Sequence, residues 1–210
     1  MFRVAITATD FRSQDFLPKL KDHLLSRLLG HHVSDGVIRT YTDDERDTIE
    51  IVYNRFYKHK AMRVNYTTYD MRREQDTINP CTCPDIMLLS HEDGHPYCYA
   101  RVLGIFHINI NHRGPSSRTP HVQKIEFLFV RRFSQDLAHA ARWSARRLHR
   151  VGFVPPDSPG TFKFIDPFDI IRGVHMILAF SHGIIDELGK SVARRPADDD
   201  EDWEYYYVGM

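Results

Sequence analysis

At 210 residues the chain is long enough for one sizeable core with appendages, and its 42% hydrophobic and 27% charged residues are ordinary for a globular protein. The 28 basic and 28 acidic residues cancel, which excludes a global field steering the whole molecule to nucleic acid or membrane, so any such steering has to come from local segregation of charge. No apolar run approaches the ~18–20 residues that span a bilayer, and MFRVAITATDFRSQDF lacks the apolar core of a signal peptide, so the expectation is an intracellular protein. Cys81, Cys83 and Cys98 make an odd count at a spacing unlike a disulfide framework, as in a reducing compartment.

The first element is a helix. Phe16, Leu17, Leu20, Leu24, Leu25, Leu28 and Leu29 recur at helical spacing, Asp15 is placed to cap it, Pro18 is tolerated in its first turn, and Gly30 is placed to end it in the left-handed conformation. Such a stripe is expected to pack on the rest of the domain, or else to serve as an interaction helix. After a polar link the period changes. Ile49 to Phe56 and Ala61 to Tyr69 read as strands with a hairpin turn at Tyr57 to Lys60. Asp85 to Ser90 is a short apolar strand, HEDGHP a turn, and Tyr97 to Asn111 the longest strand-like run, with Gly104 marking a bulge or bend.

NHRGPSSRTPHVQ reads as an exposed loop before a strand at Lys124 to Phe133. Gln135 to His149 reads as a helix on Ala and Leu content, Leu148 to Val154 as extended chain, Asp166 to Arg172 as a short helix, and Val174 to Phe180 as a buried closing strand. Asp198, Asp199, Asp200, Glu201, Asp202 and Glu204 then precede Tyr205, Tyr206 and Tyr207. The expected division is an N-terminal helix and polar link over 1–47, a β-barrel-like domain over 48–185, and an acidic, Tyr-rich tail over 186–210.

Signatures of catalysis are missing: no phosphate-cradling glycine loop, no G-x-S-x-G elbow and no H-E-x-x-H helix. Ser90, His91, Glu92 and Asp93 are neighbours in a turn, where triad geometry is rarely reachable, and nothing in the spacing of Asp70, Asp76 and Asp85 selects a two-metal site. Cys81, Cys83, His91, His95 and Cys98 fall in one window, but Cys-Thr-Cys is one residue short of the knuckle that converges on zinc, so no metal or other cofactor is expected. The better lead is a basic stretch. Lys124, Arg131, Arg132, Arg142, Arg146, Arg147 and Arg150 are offset by Glu126 and Asp136 and enclose Trp143. Guanidinium forks hold phosphates and an aromatic stacks on a base, while a solvated face or pairing with the acidic tail would use the same residues without any ligand.

Taken together, RVNYTTYDMRREQDTINP, PDIMLLSHEDGHPYCYARVLGIFHINI, EFLFVRRF, RRLHRVGFVPPDSPGTFKFIDPFDIIRGVHMILAFSHG and DWEYYYV resemble the carboxy-terminal region of Plavaka-type transposases, CACTA-related proteins of mushroom-forming fungi. The resemblance runs from roughly Phe16 to Val208 and implies a fragment without the ribonuclease H-like core, which in such proteins lies upstream. Tyr97 to Phe106 with Glu126 to Phe133 is also similar to the strand pair of bromo-adjacent homology and other SH3-like barrels of chromatin proteins. The expectation is therefore a mainly β protein with flanking helices, an SH3-like or bromo-adjacent curled barrel that is not an enzyme. It would act in the nucleus as an accessory DNA- or chromatin-binding module through Arg131, Arg132, Arg142, Trp143, Arg146, Arg147 and Arg150. The alternative is a protein-docking module that packs on a transposase core through the leucine stripe and acidic tail, or a fragment with no selected function.

Overall fold

Two long antiparallel strands organise the molecule: β5 (Tyr97–His112) and β6 (Gln123–Gln135). The structure, a computed structural model, describes residues 16–31, 39–90, 95–114, 121–141, 146–185 and 202–209. Around this pair lie β1 (Ile49–His59), β4 (Asp85–Leu89), β7 (Arg150–Phe153), β8 (Phe162–Ile165), β9 (Ile170–Gly173), β10 (His175–Leu178) and β13 (Tyr206–Gly209). The sheet runs β10-β13-β7-β6-β5-β4-β9, with β1 also on β5 and β8 also on β6. Two short ribbons stand apart, β2 (Met62–Thr67) with β3 (Arg73–Ile78), and β11 (Ile184–Ile185) with β12 (Asp202–Trp203). The protein is mainly β, as expected, and its described sheets are antiparallel. Among the described residues the pairing is an open path, so the expected curled barrel is not closed.

Alternation along the central strands sorts the core onto two faces. On β6, Ile125, Phe127 and Phe129 point into one cluster and Phe133 into another on the same side, while Leu128 and Val130 point to the opposite side. On β5 the register shifts between Val102 and Gly104. That extra residue moves the even positions from the Ala100 and Val102 side to the Phe106, Ile108 and Ile110 side. Gly104 is required there, because a Cβ would lie 2.4 Å from the buried Phe106 ring. The β2–β3 ribbon and β9 cover the Leu128 face with Val64, Ile78 and Ile170.

α1 (Phe16–Leu28) lies on the Phe127 face, with Leu20, Leu24 and Leu25 buried among Ile49, Phe106 and Ile125. Phe16 reaches the same cluster, edge-on to Phe129 and Phe164 at 5.4 and 5.0 Å. Leu20, Leu24 and Leu25 of the stripe are thus buried in the chain's own core with Leu28 packed against it, whereas Leu17 stays 45% exposed; Gly30 ends the helix at φ +73° as its position predicts, and Asp15 lies outside the described residues. A short α2 (Asp43–Asp47) interrupts the polar link, started by a reciprocal capping box between Thr42 and Glu45. Its Arg46 reaches back to Asp22 of α1 at 2.7 Å.

Several local expectations are corrected. β1 does not turn into β2 at Tyr57–Lys60, because its second half continues along β5 after a bulge where Tyr53 and Asn54 take positive φ. β2 pairs instead with β3, whose polar sequence REQDTI carries no strand pattern because only Ile78 is buried. The helix expected at Gln135–His149 is not formed in its described part: β6 extends to Gln135, and Asp136–His139 turn. After Asp166 only a single 3-10 turn, Pro167–Asp169, precedes β9, and β10 alternates rather than being wholly buried. In its described part, residues 202–209, the expected tail is built into the sheet. β13 lies between β10 and β7, burying Tyr206 and Val208.

Candidate nucleic-acid interface

The arginines of the basic stretch divide by strand alternation. Arg131 of β6 faces the core with 1% of its surface exposed, 2.8 Å from the Asp202 carboxylate, its guanidinium 3.8 Å from the Phe153 ring centroid. On the adjacent strand Arg101 pairs with Asp85, its Nε and Nη2 donating at 2.8 and 3.1 Å, and its guanidinium lies 5.0 Å from the centroid of the same ring. Two paired arginines and Phe133, Phe153 and Tyr206 therefore form one buried stack. Buried cations require partners of this kind. Arg131 is consequently removed from the set of phosphate ligands, and the acidic tail contributes Asp202 as its counterion.

Arg150 is also used internally. Its guanidinium forks onto Asp136, lies 4.5 Å from the Tyr205 ring centroid, and meets His182 Nε2 at 2.8 Å. Burial opposes ionisation of Asp136, but the Arg150 hydrogen bonds and the Ala138 and His139 amides outweigh it and hold the carboxyl below its usual range. Arg132 alternates to the other face of β6 and is half-buried, its amide donating to Thr161 O at 2.8 Å. Its head group approaches the turn at Gly160, φ +81°, together with Lys163: a Cβ on Gly160 would lie 3.3 Å from Lys163 Cε and 3.7 Å from Arg132 Nη1. Arg146 and Arg147 are exposed on the segment that leads into β7. Arg142 and Trp143 lie outside the described residues.

The cysteine and histidine window is pulled apart. Cys81 and Cys83 occupy an exposed turn before β4, whereas His95 lies beyond its other end, a strand length of about 17 Å away. Cys98 donates to Leu89 O and packs on the Leu128 face, opposite Tyr97 and Tyr99; His91 lies outside the described residues. Asp70, Asp76 and Asp85 are likewise engaged separately, with Arg72, with the Gly173 amide, and with Arg101. Among the described residues no three His, Cys, Asp or Glu side chains converge on a position for a metal ion.

Two histidine pairs, invisible in the sequence, do form. His59 Nε2 and His107 Nδ1 are 2.7 Å apart on the β1–β5 pair, with Tyr57 stacked on His107 at 4.5 Å. His95 Nε2 and His149 Nε2 are 3.1 Å apart where β5 and β7 begin. Sequence separations of 48 and 54 residues leave no local signal for either. Among the described residues no helix is long and apolar enough to cross a membrane. Compared with family models, curated proteins and solved structures, the chain finds no match in any of the three.

Proposed function

We propose that the chain is a non-catalytic, DNA-binding accessory module of a transposon-derived, Plavaka-type protein, working in the nucleus beside a transposase core. Its phosphate contacts come from Arg146 and Arg147, with Arg132 and Lys163 at the Gly160 turn. Arg142 and Trp143 complete the set, whereas Arg131 and Arg150 act as internal struts. The observation that carries this reading is the exposure of the adjacent Arg146 and Arg147 while the neighbouring arginines are neutralised inside. Exposed, adjacent guanidinium groups suit a salt-sensitive, weakly selective grip on a phosphate backbone. The finer fold reading, a curled sheet of the SH3-like or bromo-adjacent kind, is supported by the bulged β5–β6 pair and remains an analogy of shape, which does not carry function by itself.

The test is a fluorescence-anisotropy titration of the full chain against duplex and single-stranded DNA at several salt concentrations. Wild-type affinity is expected to fall steeply with salt, and Arg146→Glu with Arg147→Glu to weaken binding and reduce the log–log salt slope by about 2. Absence of salt-sensitive binding in the folded wild type overturns the proposal. Protein docking is the second reading. Most of the leucine stripe is covered, so docking would instead use Phe180, 71% exposed and edge-on to Trp203 at 4.9 Å, with the exposed Ile184 four residues on.

A further inference from the structure

We infer that His95 and His149 form a binding site for a borderline divalent transition metal of the zinc type, clipping the start of β5 to the start of β7. The two Nε2 atoms face each other at 3.1 Å with the rings at 71°. Two nitrogens sharing a tetrahedral zinc at about 2.0–2.1 Å are about 3.3–3.4 Å apart, so a small opening of the pair admits the ion. His95 is already oriented for this. Its Nδ1 lies 2.9 Å from Tyr97 O and 3.1 Å from Tyr97 N, so either tautomer finds a partner there. A metal on Nε2 selects the tautomer in which Nδ1–H donates to the Tyr97 carbonyl, the outer-shell hydrogen bond that ligating imidazoles regularly make.

A second observation points to an additional occupant at this rim. The Tyr99 ring lies 6.3 Å from that of His95, and its hydroxyl, on a side chain 1% exposed, has no hydrogen-bond partner among the described residues. Buried polar groups of this kind are normally satisfied by water or an ion. Two imidazoles leave coordination positions for water, and a metal-bound water supplies hydrogen-bonding capacity that the surrounding apolar cluster does not. The His59–His107 pair, on which Lys124 and Glu126 act with opposite charges, serves as the internal comparison.

The experiment titrates the full-length chain with zinc chloride by calorimetry. In parallel, the imidazole resonances are followed by NMR during addition of paramagnetic nickel, with His95→Gln, His149→Gln and His59→Gln chains for assignment and control. One zinc equivalent is expected to bind wild type and the His59→Gln chain alike, at least tenfold more weakly after either His95→Gln or His149→Gln, with the His95 and His149 resonances broadened first. Tyr99→Phe is expected to keep the site while weakening it. Equal binding by all chains, or early broadening confined to other histidines, means adventitious surface binding only and overturns the inference. Should a glutamine variant fail to fold, the wild-type broadening pattern decides alone.

Discussion

His23 shows how a single side chain ties stability to pH. It sits in α1 with 8% of its surface exposed, its ring 6.1 Å from that of Phe164 and its Nε2 without a hydrogen-bond partner among the described residues. Burial, reinforced by the charge of Arg27, pushes its pKa from 6.5 down to about 3. The unfolded chain therefore binds a proton that the folded chain refuses. The stability that neutral His23 permits is complete above pH 6.5 and is lost as pH falls from there toward about 3. For this group the loss at pH 5 is about 2 kcal/mol. Urea unfolding of His23→Leu at pH 7.5 and pH 5 is expected to show a correspondingly shallower acid loss than wild type; equal losses would remove His23 as the cause. His107 acts in the same direction: burial, then the charges of Lys124 and His59, lower its pKa against the opposing pull of Glu126.

At the scale of elements, β5 depends on one glycine. The bulge at Gly104 lets the strand serve two core faces in succession, and its close approach to Phe106 leaves no room for a methyl group. Gly104→Ala has to displace a buried ring, and overpacking of this kind costs about 1–3 kcal/mol. Thermal unfolding is expected to show that loss, with secondary structure by circular dichroism unchanged; an unaltered midpoint would mean that the Phe106 ring has space to move. This bulge was legible in the sequence because a lone glycine in a long strand pattern has few other uses. The leucine stripe of α1 was legible for a similar reason, since its spacing belongs to one element. The partners of β2 were not, because alternation shows which face a strand buries and says nothing about the strand lying beside it. The polar β3 carried no burial signal at all, as it is a ribbon partner exposed along most of its length.

For the molecule as a whole, the C-terminal strand decides whether the sheet is complete. β13 bridges β10 and β7, buries Tyr206 and Val208, and follows Asp202, the counterion of buried Arg131. Burying such side chains contributes about 1.5–3 kcal/mol each, and stripping a buried cation of its partner costs about 3–5 kcal/mol, against a total stability of about 5–15 kcal/mol. A chain ending before Asp202 is therefore expected to lose its cooperative unfolding transition in urea. Retention of a sharp transition would make β13 dispensable. The role of acidic residues in shielding the basic stretch is better tested by neutralising Asp198, Asp199, Asp200 and Glu201 in the full chain, since truncation removes core strands along with charge.

The sequence alone determined the mainly β character, the amphipathic first helix, the Gly30 stop and the Gly104 irregularity, because each is written in the period or backbone freedom of adjacent residues. It also marked the 131–150 segment as rich in arginine, which is a property of composition. Only the tertiary structure decided what each arginine does. Arg131 and Arg132 are neighbours in sequence, yet alternation sends one to Asp202 and Phe153 in the core and the other to the Gly160 turn. The same holds for His95 and His149, whose meeting depends on strand pairing across more than fifty intervening residues, and such long-range register is set by the packing of the whole sheet rather than by any local pattern.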